Sequence, residues 1–233
     1  MNPIDREVLK DVQDEYNHIF KTDPIHDEVV GYRWLANTIK GSCGMGYAHC
    51  RLLDVACGGG YFLREVRNIF GGNAQLAGSD LSSEALRLAR QSTPTAQFSL
   101  SPAEELPYQD NAFDVVTCLG SMEHFLNIPQ SIKEMKRVST KEALFFVLLP
   151  NAFWYKDIAS VWFLGKKKTR NQTHERFACH EEWKTTLESN GLRVFKTLKY
   201  NGIAKHNWKQ RLKDILTPLQ LSYHFLFICR KDK

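Results

Sequence analysis

The 233-residue chain lacks any run approaching the roughly 18 apolar residues that a membrane-spanning helix requires. Its opening "MNPIDREVLKDVQDEYNH" lacks the basic and then apolar pattern of a secretory signal, being too acidic and too polar. Both absences lead to the expectation of a cytoplasmic protein. The six cysteines, Cys43, Cys50, Cys57, Cys118, Cys179 and Cys229, form no CxxC pair and no Cys/His cluster of zinc-site spacing, so reduced structural thiols are expected. There is no internal repeat, which argues against a solenoid, and no low-complexity tract.

What is present is an ordinary globular composition, 43% hydrophobic and 24% charged, with an uneven distribution of charge. Residues 1–150 carry 14 Lys+Arg against 19 Asp+Glu, and residues 151–233 carry 17 against 7. The basic surplus of the second part suits nucleic acid, anionic lipid or an acidic substrate, or is simply a solvated face.

Between residues 51 and 150 strands alternate with helices. "RLLDVA", "AQLAGSD", "AQFSL", "AFDVVTCLG" and "EALFFVLLP" read as strands, and "YFLREVRNIF", "SSEALRLARQ" and "PQSIKEMKRV" as helices. Such alternation predicts a mostly parallel sheet with helices on both faces. Beyond Pro150 come an aromatic and basic segment to about residue 176, a helix "HEEWKTTLESN" and two strands, "LRVFKTLKY" and "LSYHFLFICR". The division expected is an N-terminal helical cap over residues 1–50, with "DEVVGYRWLANTI" as its clearest helix, and a domain over 51–233 carrying a substrate-facing insertion at about 151–176.

The stretch "LLDVACGGGYF" ends the first strand in Gly58, Gly59 and Gly60. Glycines there let a ligand lie against bare amides at a helix N-terminus. The GxGxxG frame is absent, because Ala56 stands where its first glycine would be, and a dinucleotide pyrophosphate fits poorly. Asp80 closes the second strand, where a carboxylate can accept both hydrogen bonds of a ribose diol. Together these features describe a nucleoside site without phosphate.

"LLDVACGGGYF", "GSDLSSEALRLAR", "AEELPYQDNAFDVV" and "SMEHF" together resemble the successive motifs of class I S-adenosylmethionine-dependent methyltransferases of the type 11 branch. The resemblance implies a Rossmann-like α/β fold with about seven strands, the last antiparallel. It also implies S-adenosylmethionine as cofactor and S-adenosylhomocysteine as product. Gly58 and Gly60 would lie against the methionyl part and ribose, with Asp54 and Ala56 completing the turn. Asp80 would hold the ribose hydroxyls, Leu81 the adenine, Ala103 and Glu104 the adenine edge, and Leu119 the methionine side. Pro102 departs from the pattern, standing where the family usually has an aspartate.

Within the branch the chain is most similar to the O-methyltransferases of ubiquinone biosynthesis. Arg33 sits where those enzymes have an arginine reaching the cofactor carboxylate. Gly120 replaces the first glutamate of their metal site and leaves Glu123 and His124, so no divalent metal is expected.

Methyl transfer is an in-line displacement, and a hydroxyl acceptor must also lose its proton. His124 reads equally as the base or as a residue orienting the following helix, and Glu123 as its partner or a helix cap. His174, Glu175 and Arg176 in "QTHERF" form a second polar cluster, in which Arg176 reads as a partner of an anionic substrate or of a structural salt bridge. On a helix, Trp154, Ile158, Val161 and Trp162 share one face followed by Lys166, Lys167, Lys168 and Arg170. That face reads as a peripheral membrane contact, a cover for an apolar substrate, or plain core.

The function expected is methylation of a small-molecule acceptor, an O-methylation of an apolar or lipid-linked intermediate. The alternatives are a non-catalytic cofactor-binding relative, or methylation of RNA ribose or peptide. Exocyclic-amine methylation of nucleic acid is not expected, since "LGSMEH" replaces its Asn/Asp-Pro-Pro-aromatic signature.

Overall fold

The computed structural model describes residues 5–22, 29–43, 50–165, 176–201, 212 and 214–232. Two helices, α1 (Arg6–Thr22) and α2 (Val29–Cys43), precede β1 (Arg51–Val55), α3 (Tyr61–Phe70), β2 (Gln75–Asp80), α4 (Ser83–Ser92) and β3 (Gln97–Leu100). There follow β4 (Phe113–Leu119), a 3₁₀ turn (Met122–His124), α5 (Ile128–Val138), β5 (Ser139–Pro150), α6 (Tyr155–Leu164), α7 (His180–Ser189), β6 (Leu192–Tyr200) and β7 (His224–Lys231).

The strands form a 7-stranded sheet in the order β3-β2-β1-β4-β5-β7-β6. Neighbours from β3 to β5 pair in parallel, and β7 lies antiparallel to both β5 and β6. The fold class implied by the strand-helix alternation is the one observed. Near-continuous apolar runs such as "ALFFVLLP" in β5 are needed because helices cover both faces of the sheet. Alternate residues go to opposite sides. Val116, Phe145, Val147 and Phe227 pack with Ile132 and Met135 of α5 and Trp183 of α7. Val115, Leu144, Phe146 and Ile228 pack on the other face with Leu35 and Ile39 of α2 and Phe62 and Val66 of α3. α2 is thus built into the core, and it runs through Gly41 to Cys43, past the sequence-based end at Ile39.

Local signals set the helix starts. Ser82 caps α4 by accepting the Ala85 N–H at 3.1 Å, and Asn127 caps α5 by accepting the Gln130 N–H at 3.1 Å. All six cysteines are free thiols. Burial pushes Cys43 up to about 12 and Cys50 up to about 11, so neither is a thiolate at neutral pH.

Gly60, at the N-terminus of α3, has φ 70°. A Cβ there would lie 3.0 Å from Ala89 Cβ and 3.0 Å from Ser92 Oγ, so the missing side chain admits α4. The sequence reading set Gly60 against the cofactor; in the structure the side where its Cβ would stand is closed by α4. Gly60→Ala is therefore expected to cost about 2–4 kcal/mol in urea unfolding, from left-handed strain and overpacking. The fraction that remains folded should keep the ligand affinity of the wild type.

Candidate active site

β1 is flanked by β2 on one side and β4 on the other, so the chain departs in opposite directions at their C-terminal ends, where open α/β sheets bind ligands. A cavity of about 710 Å³ opens there. That volume is within the range of small-molecule sites.

The inner half is built from two turns joined by a carboxylate. The Gly58 N–H donates to Asp80 Oδ2 at 2.8 Å, and the Ser82 N–H donates to Asp80 Oδ1 at 2.8 Å. Each oxygen of an ionised carboxylate keeps a further acceptor site. Asp80 is buried at the cavity wall, and burial raises its pKa against the lowering effect of those amides. Beside it, Asp54 is wholly enclosed and pushed up to about 7 by burial, with Asp80 adding to the rise and the Thr117 hydroxyl, donating at 2.6 Å, opposing it. Ala56 has φ 57°, a left-handed conformation that glycine adopts without strain, so this turn keeps the backbone of a glycine without the residue. Gly58 lines the cavity, and a Cβ on it would meet only the Phe20 ring, at 3.4 Å.

Leu81, Ala103 and Leu119 line the cavity. Glu104 also borders it, but its Oε1 accepts the Asn127 N–H at 2.9 Å, so the carboxylate braces the loop before α5. Arg33 donates through Nε to the buried Glu65 at 3.1 Å, and α2 presents Tyr32 and Leu35 to the cavity instead.

α1 supplies residues that the motifs did not reveal. Gln13 donates to the Leu81 carbonyl at 2.8 Å, and Asn17 Oδ1 accepts the Ser82 hydroxyl at 2.8 Å, while Tyr16 and Phe20 enter the cavity wall. The signal was legible: these four residues recur at helical spacing on one face of "QDEYNHIF".

Glu123 and His124 sit on the Met122–His124 turn at the cavity, with the Tyr16 ring 6.5 Å from the imidazole and edge-on to it. Gly120 lines the same wall with φ 69°. Among the described residues no group of three or more His, Cys, Asp or Glu is placed to hold a metal ion. Arg176 lies beside this turn. Its N–H donates to the Glu123 carbonyl at 3.1 Å and its Nη1 to the Phe125 carbonyl, so it supports the turn through two backbone oxygens.

The outer half is aromatic. The Trp154 ring lies tilted, 4.6 Å from that of Tyr223, Tyr223 stands edge-on at 4.1 Å to His224, and Tyr200 completes the wall. Lys156 lies 5.0 Å from the Trp154 ring and also borders the cavity. Trp154 precedes α6 as its N-cap and belongs to the cavity, whereas Trp162 is 81% exposed and does not. The single face expected for the two tryptophans is not formed. His174, Lys166, Lys167, Lys168 and Arg170 lie outside the described residues.

Residues 53–147 match the family model described as "Methyltransferase domain". Residues 53–147 thus carry the core of a class I S-adenosylmethionine-dependent methyltransferase domain. It is 33% identical over 100 residues to a demethylmenaquinone methyltransferase of Chlorobaculum parvum, a match that covers 43% of this chain and 41% of that protein. The chain thus spans about two-fifths of that relative's length. A ubiquinone biosynthesis O-methyltransferase of Bordetella avium is 25% identical over 207 residues, covering 84% of this chain and 80% of that one. The fold is shared with Burkholderia thailandensis 1,6-didemethyltoxoflavin-N1-methyltransferase, at a TM-score of 0.64, 12% identity and coverage of 100% of this chain and 93% of that one. That neighbour's structure contains bound 1,6-didemethyltoxoflavin and S-adenosylhomocysteine.

The two acids make the ligand-free domain sensitive to pH. With its carboxyl raised from 3.8 to about 7 on folding, Asp54 holds a proton in the folded state that the unfolded chain has already released. Its contribution therefore favours folding at low pH and is lost as pH rises from about 4 to about 7. Asp54→Asn is expected to flatten this slope and to raise ligand-free stability at pH 8 by about 2–4 kcal/mol, read by urea unfolding at a series of pH values.

Proposed function

We propose that the protein transfers a methyl group from S-adenosylmethionine to a hydroxyl of an apolar, ring-containing small molecule. The observation that carries this reading is the joined cavity, with the buried Asp80 carboxylate at one end and Trp154, Tyr200 and Tyr223 at the other. The residues present fit the cofactor. Asp80 would accept the ribose hydroxyls on the acceptor sites its two amide bonds leave over, the Gly58 amide turn would lie against the methionyl part, and Leu81 and Ala103 would flank the base. Asp54 and Ala56 would lie behind the amino-acid portion. When bound, the cofactor supplies an electrophilic methyl on a sulfonium that leaves as a neutral thioether.

What remains for the protein is alignment, exclusion of water and removal of one proton. The aromatic half supports a flat apolar acceptor, and offset or edge-on ring contacts would set its orientation. His124 would take the hydroxyl proton, leaving the oxygen to form the new bond to carbon, and Glu123 adjoins it on the same turn. Arg176 would position this turn through the two carbonyls it binds. The naming of the Bordetella avium relative for O-methylation in ubiquinone biosynthesis supports a hydroxyl on an apolar ring.

Calorimetric binding of S-adenosylhomocysteine tests the cofactor assignment. Asp80→Ala is expected to cost about 2–4 kcal/mol of affinity, because two charge-assisted hydrogen bonds are lost. Unchanged affinity in a variant that still melts cooperatively would reject the ribose role. For catalysis, His124→Gln should lower turnover roughly 10²- to 10⁴-fold while cofactor affinity stays within about twofold. Loss of stability with turnover preserved in the folded fraction would instead make His124 a support of the turn.

A further inference from the structure

Charge is unevenly placed around the cavity. Among the described residues four acids line it, Asp54 on β1, Asp80 at the end of β2, Glu104 after β3 and Glu123 on the 3₁₀ turn. None of them comes from the wall built by Trp154, Tyr200 and Tyr223. Among the described residues Lys156 is the one lysine or arginine that borders the cavity, and it belongs to that wall, two residues beyond Trp154. Its ammonium lies 5.0 Å from the Trp154 ring, and among the described residues it pairs with no carboxylate. The neighbouring acid, Asp157, does not line the cavity.

A second donor stands on the same wall. Asn201 directly follows β6, and its Oδ1 accepts the Tyr223 N–H at 3.0 Å. An amide whose oxygen is engaged presents its NH₂ as the remaining group, and Asn201 Nδ2 has no partner among the described residues. Packed rings connect the two donors. Lys156 lies over Trp154, the Trp154 ring is 4.6 Å from that of Tyr223, and the Tyr223 backbone holds Asn201. Both donors border the cavity. An ammonium and an amide N–H that lack an acceptor suit a carboxylate, which has two oxygens to receive them. An anion on an otherwise aromatic wall is costly unless it is paired, and repulsion from the four acids disfavours it in the inner half. A ligand with a ring and an acid is thereby oriented with the acid outward.

We propose that the methyl acceptor is a hydroxylated aromatic acid whose carboxylate is held by Lys156 Nζ and Asn201 Nδ2. The inference rests on the proposed use of the outer half for the acceptor. The anion is assigned to the acceptor rather than to the cofactor because both donors belong to the aromatic wall, whereas the glycine turn and Asp80 frame the inner half. The carboxylate takes no part in making or breaking bonds. Lys156 and Asn201 select the acceptor and orient its ring.

Calorimetry of the full chain loaded with S-adenosylhomocysteine tests this, with 3,4-dihydroxybenzoate and 6-hydroxy-2-naphthoate each compared with its methyl ester. Wild type should bind at least one acid roughly tenfold more tightly than its ester, and the preference should shrink as salt rises. Lys156→Gln should abolish the preference and keep ester binding. Asn201→Asp retains an acceptor for the Tyr223 N–H but replaces the donor with a negative charge, so it should make the acid the weaker ligand. Wild type without a preference for either acid, or Lys156→Gln that keeps the preference, would overturn the proposal. So would a Lys156→Gln variant that binds S-adenosylhomocysteine roughly tenfold less tightly while its affinity for 5′-methylthioadenosine, which has no carboxylate, is unchanged, because the ammonium would then serve the cofactor. Wild type that takes up no S-adenosylhomocysteine would sink the cofactor reading and this inference with it, whereas intact uptake without acid preference would sink this inference alone.

Discussion

The arrangement of this site depends on the Asp80 carboxylate and the two backbone N–H groups it accepts. One comes from Gly58 in the turn after β1 and the other from Ser82 in the turn after β2, so a single side chain ties together the two loops that frame the inner cavity. Ser82 in turn caps α4 and offers its hydroxyl to Asn17, which draws α1 across the same loops. Buried carboxylates are disfavoured as anions unless hydrogen-bonded, and this one carries a neighbouring acid as well. A fold selected for stability alone would place apolar side chains there. Holding two buried acids at the C-terminal ends of adjacent strands, beside a cavity, makes chemical sense where a polar ligand completes their hydrogen bonding.

The outer half of the cavity is assembled differently. β7 runs antiparallel between β5 and β6, and its first residue, His224, pairs with Pro150 on one side and Tyr200 on the other. That register gathers Trp154, Tyr200 and Tyr223 from three separate parts of the chain into one wall. Ala178 adds a further tie, since its carbonyl accepts the Ala152 N–H at 3.2 Å while Arg176, two residues earlier, holds the turn bearing Glu123. The start of α6 and the turn bearing His124 are therefore braced by the same short segment.

Much of the inner site was legible because it depends on local chemistry. A strand ending in glycines, an aspartate closing the next strand, and Ser82 before a helical pattern each state what the backbone does at that point. Orientation was less legible. Gly60 marks a close approach, but whether of a ligand or of a helix depends on where α4 packs. Glu104 and Arg33 were both expected at the cofactor; Glu104 borders the cavity while accepting from Asn127, and Arg33 pairs with Glu65, partners that only the folded arrangement brings into reach.

By itself the sequence determined the order of strands and helices, the parallel core, the glycine turn and the acid beside it, because periodicity, caps and turn residues act over a few positions. Tertiary structure alone decided that α1 closes over the inner cavity, that Trp154 turns inward while Trp162 stands in solvent, and that Tyr200 and Tyr223 share a wall with Trp154. Those outcomes depend on contacts between residues tens of positions apart. Their partners are set by strand register and helix packing, which no local pattern encodes.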